Sequence, residues 1–438
     1  MKYRYMPNEA QEFWAQELVN SQGLSAKLGQ VLAQGKESKL PKSSVSVHEA
    51  KTFFLKQYNE EIQVADEVLA ASMGQVFHIQ LNQKNYALKI LHPGIRKKLE
   101  KEIENILLLG KYFSKAKGFS FDQQVFKRFL TEVFKEETDL SREADFQEKF
   151  RAIFKSDIRF KVPIVIREFT NTSALCQEWV DSTLAKDLTH FKNFNIFTFF
   201  FESLLEHGTL HGDLNDRNWG LNQDGQVVVF DYGCSQIISP RRISGFKKLL
   251  MNEDVTQAFL EFGMRLESTW FKGREQQLRD ALFEPLLREF IKPEWSYSKD
   301  LESEFGAKIK LLREFTDPWV LLMMRSLFSL IRIYQNRKMA IPLKEVLAPY
   351  LVIKETTFVS THIKIEVMER DSLVMFLELP MTALDGLEAQ IPEKVISQIQ
   401  QEGLDFKKII KATMASGLIP QELINVKIEN RHYRIWIE

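Results

Sequence analysis

His211-Gly212-Asp213-Leu214-Asn215-Asp216-Arg217-Asn218, followed by Val227-Val228-Val229-Phe230-Asp231-Tyr232-Gly233, decides the reading of this chain. Phosphoryl transfer from ATP needs a carboxylate near the attacking oxygen, with an amide and a second carboxylate to hold Mg²⁺. Asp213 supplies the first, Asn218 (five residues on) the amide, and Asp231, after a short apolar run, the second carboxylate. Asp, Asn and Gly are also ordinary turn residues. Here residue types, spacing and the intervening strand agree, so the stretch predicts a Mg-ATP site. Asn218 and Asp231 are its expected metal ligands, Asp213 orients the acceptor, and His211 braces the loop.

At 438 residues and 44% hydrophobic, the chain can bury a sizeable core and divide into two or three domains. Lys+Arg and Asp+Glu both number 59, so no global field draws it to nucleic acid. Cys176 and Cys234 are the only cysteines. That argues against a disulfide framework or a zinc site and suits a reducing, cytoplasmic setting. The first residues carry no apolar core of a signal peptide. Trp319 to Ile331 is short for a membrane span and holds Arg325 at its centre, so it reads as a buried helix. Peripheral contact with the inner face of a membrane stays open.

Residues 8–58 read as helices, interrupted at Pro41-Lys42-Ser43-Ser44. Three strands are expected at Ile62–Leu69, Val76–Leu81 and Tyr86–Leu91, the last two joined by an Asn82-Gln83-Lys84-Asn85 turn. Helical stretches follow at about 95–116 and 122–155, then strands at Lys161–Arg167 and Ala174–Trp179. Beyond Asp181 the chain reads as mostly helical to about 350, with Phe194–Glu206 as a buried aromatic helix. In the last 80 residues, alternation at Ile363, Ile365 and Val367, and at Tyr433, Ile435 and Ile437, predicts hairpins flanking two short helices, one opening at Pro392.

The central run fits the kinase pattern H-x-D-x-x-x-x-N … D-F-G, with Tyr for Phe. A kinase also needs a cation on the phosphates, held by a carboxylate of a neighbouring helix. Tyr86-Ala87-Leu88-Lys89 ends the third strand as V-A-I-K does in kinases. The helix from 122 offers many acids as the partner of Lys89, and composition alone does not choose among them. Over the first two strands stands Val68-Leu69-Ala70-Ala71-Ser72-Met73-Gly74-Gln75-Val76. Alanine lacks the positive-φ freedom of glycine, so this phosphate-covering loop should be stiff. Ala70, Ala71, Ser72, Lys89 and Glu178 are the candidate nucleotide-binding residues.

Leu69–Val76, the run Lys89-Ile90-Leu91-His92-Pro93-Gly94-Ile95, and Glu137-Thr138-Asp139-Leu140-Ser141-Arg142-Glu143-Ala144 resemble the UbiB/AarF family of atypical kinase-like proteins. Lys27-Leu28-Gly29-Gln30 is similar to that family's N-terminal K-x-G-Q signature. The resemblance runs from about residue 20 to 350. It implies that Lys89 pairs with Glu143 beside the phosphates, and that Lys27 reaches the active site and pairs with Glu137, near Asp139. It further implies an ATPase linked to isoprenoid quinone biosynthesis or lipid homeostasis, whose N-terminal helices block the usual protein-substrate groove. ATP and Mg²⁺ are the implied cofactors, and an isoprenoid lipid or quinone precursor the implied partner.

The family's catalytic loop usually reads H-x-D-P-H-P-G-N. His211–Asn218 is closer to the H-G-D-L-x-x-x-N of choline kinases and aminoglycoside phosphotransferases, and position 69 is Leu where the family's loop opens with Ala. A small-molecule kinase of that type is therefore the enzymatic alternative, and a non-hydrolysing nucleotide-gated switch a further one. The expected fold is α+β, a protein-kinase-like bilobal fold with an N-terminal helical extension and a small C-terminal ββααββ module. The expected divisions are 1–60 for the extension, 61–181 for the N-lobe, 182–352 for the helical C-lobe and 355–438 for the module.

Overall fold

A computed structural model describes residues 45–438, apart from the stretches 71–73, 105–137, 190–192, 267–269, 296–304, 306–315 and 352–359 and isolated positions and short runs elsewhere. Lys27, Glu137, Ala71, Ser72 and Pro392 lie outside the described residues. The chain divides into two compact units, one within 1–192 plus 213–235 and the other 193–212 plus 236–438. The boundary cuts the central motif, so His211 and Gly212 belong to the second unit and Asp213 onward to the first.

In the first unit, α1 (Val47–Tyr58) starts where Ser46 can cap it. The Ser46 hydroxyl accepts from Glu49 N at 3.2 Å, while Glu49 Oε2 accepts from Ser46 N at 2.7 Å, which satisfies two otherwise orphaned donors. Strands β1 (Gln63–Ala70), β2 (Gly74–Leu81) and β3 (Lys84–Leu91) form an antiparallel meander. Leu81 pairs with Lys84, leaving the two-residue turn Asn82-Gln83 at φ 49° and 64°. Two positive φ values match the twist of the strands, and Asn tolerates them best among side-chain-bearing residues.

Helix α2 (Leu140–Ile153) is capped by Asp139, whose extended backbone (φ −114°, ψ 95°) ends any continuous helix from 122 to 155 at that point. Of the strand expected at 161–167, only β4 (Phe160–Lys161) forms. Pro163 lacks an N–H, and Val165 makes a single bridge to Gln177. Strand β5 (Ala174–Glu178) adds to the meander beside β3, giving the order β1-β2-β3-β5. Phe54 of α1, Phe77 and Ile79 of β2, Leu88 of β3 and Cys176 of β5 share one buried core. A second small sheet contains β4, β6 (Thr183–Leu184), β7 (Trp219–Leu221) and β8 (Val227–Val229) in the order β4-β8-β7-β6. Its β7 and β8 fill the stretch between Asn218 and Asp231.

The second unit opens with α3 (Asn195–Leu205), on which Phe197, Phe199, Phe200 and Phe201 are all fully buried. Its aromatic stripe is core. Helices α4 (Pro240–Met251) and α5 (Val255–Phe262) pack closely, since a Cβ on Gly245 would stand 2.4 Å from Phe262 N. Beyond α6 (Glu275–Phe283), α7 (Pro318–Gln335) buries Met323, Leu327 and Leu330, as the Arg325-bearing stretch predicts. No helix among the described residues is long and apolar enough to cross a membrane. The last strands, β9 (His362–Glu369), β10 (Ser372–Pro380), β11 (Gln421–Ile428) and β12 (Arg431–Ile437), form one antiparallel sheet in the order β10-β9-β12-β11. Ile363, Ile365, Ile424 and Ile435 of that sheet share a core with Phe406 of a helix at Phe406–Ala415.

Candidate functional site

Within the first unit, β3 presents Lys89 and α2 presents Glu143. Lys89 Nζ donates to Glu143 Oε1 at 2.9 Å and to Oε2 at 2.8 Å, and stands 3.4 Å from Asp231 Oδ1. The side chains of Lys89 and Glu143 are 14% and 5% exposed, against 39% for Asp231. Asp231 thus supplies the open side of the cluster. Burial works against the Lys89 ammonium, but Asp231 and Glu143 outweigh it and hold its pKa above the ordinary lysine range. The lysine stays charged at neutral pH.

Asp231 sits at φ 51°, a left-handed conformation that Asp and Asn adopt more readily than other side-chain-bearing residues. Its Oδ1 accepts from Gly233 N at 3.3 Å, and that turn aims the carboxylate back at Lys89. Tyr232 packs inward, fully buried, with its ring centroid 5.1 Å from that of Phe150 on α2 and its hydroxyl donating to Val229 O at 3.0 Å. Tyr thus fills an inward position and gives its hydroxyl a partner. A Cβ on Gly233 would lie 3.3 Å from Asp231 Oδ1 and 3.4 Å from Glu143 Oε2, so a methyl there would touch both carboxylates and crowd that of Asp231. Arg142 adds a bond from Nη2 to Ser235 O at 3.3 Å, tying α2 to the end of the same loop.

Asn218 Nδ2 donates to Asp213 O at 2.9 Å, which points Asn218 Oδ1 the other way as an acceptor. Asn215 Nδ2 donates to Asp213 Oδ1 at 3.1 Å, restraining the carboxylate that faces the acceptor in the sequence reading. In the second unit, the fully buried Ser326 hydroxyl donates to His211 O at 2.7 Å, and the Phe199 ring packs edge-on to the His211 imidazole. His211 is itself fully buried, in keeping with a bracing role.

One carboxylate and one amide oxygen make a sparse protein donor set. Mg²⁺ is commonly held by one or two carboxylates, with phosphates and water completing an octahedron, so Asp231 and Asn218 fit it. Glu178 is engaged elsewhere: Oε1 pairs with Lys161 Nζ at 2.8 Å and Oε2 accepts from Ile164 N at 3.1 Å. Its backbone N–H donates to Ile164 O at 2.8 Å. Ala70 ends β1, immediately before the loop. The structure therefore brings together Lys89, Glu143 and Asp231, and separately Asp213 and Asn218, while Glu178 braces the β4–β5 connection. Asp139, Gly233 and Ser326 were not singled out for these duties by sequence reasoning. Asp139 carried a signal as an Asp at the start of a helical run, Gly233 one as the glycine of the D-F-G-like run, and Ser326 none.

This arrangement, a strand lysine paired to a helix glutamate beside a metal-type aspartate, defines a protein of the kinase-like class. Residues 49–257 match the ABC1 atypical kinase-like domain. Residues 49–257 are thus similar to that domain, and the relatives of the chain include proteins named COQ8 and aarF-domain kinases. It is 28% identical over 229 residues to the mitochondrial atypical kinase COQ8 of Saccharomyces cerevisiae, covering 50% of this chain and 45% of that one. It is also 28% identical over 196 residues to an uncharacterized chloroplastic aarF domain-containing protein kinase of Arabidopsis thaliana, covering 43% of this chain and 28% of that one. The chain thus spans less than half the length of these relatives. Among solved structures, the erythromycin complex of Rv3197 from Mycobacterium tuberculosis shares the fold at TM-score 0.54 and 18% identity, over 77% of this chain and 95% of that one.

Proposed function

We propose that this chain is a Mg-ATP-dependent atypical kinase-like enzyme, an ATPase or a phosphotransferase toward a lipid or other small acceptor. The observation that carries the reading is the cluster of Lys89, Glu143 and Asp231, with its short ion pair and partly exposed aspartate. Lys89, held by Glu143, binds the α/β-phosphates. Asp231 and the Asn218 amide oxygen are the ligands for Mg²⁺, which when bound neutralises phosphate charge. Asp213 orients the attacking hydroxyl or water. Positioning and charge neutralisation do most of the work in this chemistry. A quinone- or lipid-linked role follows from the family resemblance, and contact with a membrane would be peripheral.

A choline- or aminoglycoside-kinase-like activity is the second reading, favoured by the restraint of Asp213 through Asn215 in the H-G-D-L-N run. Incubation with γ-labelled ATP and Mg²⁺, wild type beside Asp231→Asn, tests the proposal by following free phosphate and acceptor label together. Phosphate release by the wild type alone is the expected result. Label on an amino alcohol or aminoglycoside without basal phosphate release would favour the second reading. Nucleotide binding without turnover would leave a nucleotide-gated switch, and no Mg-ATP binding at all would overturn the proposal.

A further inference from the structure

The family resemblance places Asp139 near the Lys27–Glu137 pair of the active site. We infer that Asp139 acts instead as a positioning residue, capping the helix that carries Glu143 and thereby setting where Glu143 meets Lys89. The inference rests on the Mg-ATP reading for its activity measurement only.

The first N–H groups of a helix have no partner within it, and a side-chain oxygen at the cap position is the usual remedy. Asp139 Oδ1 accepts from Ser141 N at 3.0 Å, Arg142 N at 3.4 Å and the Ser141 hydroxyl at 2.5 Å. Its carbonyl accepts from Glu143 N at 3.4 Å, so the residue holds both the cap and the backbone of the turn from which Glu143 projects. The preceding and neighbouring segments are pinned as well. Arg96 Nη2 donates to Thr138 O at 3.0 Å and Thr172 O at 3.2 Å, and Leu140 N donates to the same Thr172 O at 3.2 Å. Thr172 lies just before β5 and Arg96 just after β3, so the start of α2 is fastened to the end of the sheet that carries Lys89. Glu143 stands four residues from the cap, and its carboxylate makes a two-oxygen contact with Lys89. Loosening the first turn displaces that carboxylate.

Asn and Ser cap a helix about as well as Asp, but neither carries its charge. Asp139→Asn, Asp139→Ser and Asp139→Ala in the full chain therefore separate capping from any direct role of the carboxylate. ATP turnover (kcat and KM) is measured alongside amide hydrogen exchange over residues 140–143. Expected for Asp139→Ala are faster exchange there and a kcat/KM about fivefold lower, from the loss of one cap. The Asn and Ser variants are expected within about twofold of wild type on both measures. Asn and Ser variants as impaired as Ala would overturn the inference, since charge and not capping would then matter. So would an Ala variant with unchanged exchange. Should wild type show no turnover, the Mg-ATP reading fails while the exchange series still decides the role of Asp139.

Discussion

The Lys89 ammonium donates to both carboxylate oxygens of Glu143, at 2.9 and 2.8 Å, across 54 residues of chain. Such a pair, largely withdrawn from water, is destabilised strongly by loss of one partner, because the other is left buried with its charge. Glu143→Gln keeps the shape and removes the charge, while Asp231 still faces Lys89. A stability loss of about 2 kcal/mol is expected in urea unfolding. Nucleotide turnover should fall at least about tenfold. Turnover equal to wild type would make the pair structural.

Asp231→Asn separates the metal role from the backbone role. Asn accepts φ near 50° as readily as Asp, so the loop should persist and the Tm should stay within about 3 °C. Mg-dependent turnover should fall by about 100-fold or more, as it does when a principal charge-stabilising group is removed. Calorimetry and phosphate release on the same preparation check both halves.

Gly233→Ala places a methyl against two carboxylates at once, 3.3 Å from Asp231 Oδ1 and 3.4 Å from Glu143 Oε2. The Asp231 carboxylate is the one pressed, and moving it changes its approach to Lys89. Turnover should drop about tenfold with a stability loss of only about 1 kcal/mol. Matching losses in both would point to general disruption of the loop.

Burial pushes the Cys176 thiol up from 9.0 to about 12, with Glu168 adding to it. Burial likewise raises the Tyr58 phenol from 10.0 to about 12. A group whose pKa is raised by folding stabilises the native state below its unfolded value, and that contribution is lost as pH rises toward the folded value. Stability should therefore decline between about pH 9 and 12. Cys176→Ala should flatten that decline in urea titrations at pH 8, 9 and 10; an identical slope in the variant would contradict the assignment. In native protein, a thiol reagent should modify the partly exposed Cys234 first and reach the buried Cys176 only on unfolding.

Elements with local causes were legible in the chain. The meander shows because apolar alternation and the Asn82-Gln83 turn act over neighbouring residues. The buried helix at 195–205 shows because its Phe residues occupy all faces. The strand expected at 161–167 shrank to two residues because Pro163 cannot join a ladder, a signal present in the sequence but outweighed by Val162, Ile164, Val165 and Ile166. Of the helix expected over 122–155, the described part runs from Leu140 to Ile153 and opens at Asp139, again a local cue, that of a capping residue. The sequence groups Glu178 with the nucleotide, whereas its carboxylate meets Lys161 and Ile164 N, partners supplied by a segment 14 to 17 residues earlier.

By itself the sequence determined the chemistry on offer: Asp213 and Asn218 at a spacing that one loop can present, and Asp231 after an apolar strand before Gly233. These are short-range facts of turn geometry and side-chain type. Composition left open which of the many acids near α2 reaches Lys89; the family resemblance pointed to Glu143, and the tertiary structure makes that contact and sets how tightly a methyl at Gly233 would sit against Asp231. It also decided that the helix capped by Asp139 is fastened through Arg96 and Thr172 beside the sheet that carries Lys89. Each depends on segments far apart in the chain being packed to within a hydrogen bond of one another, a distance set by the sheet, the helix cap and the core beneath them.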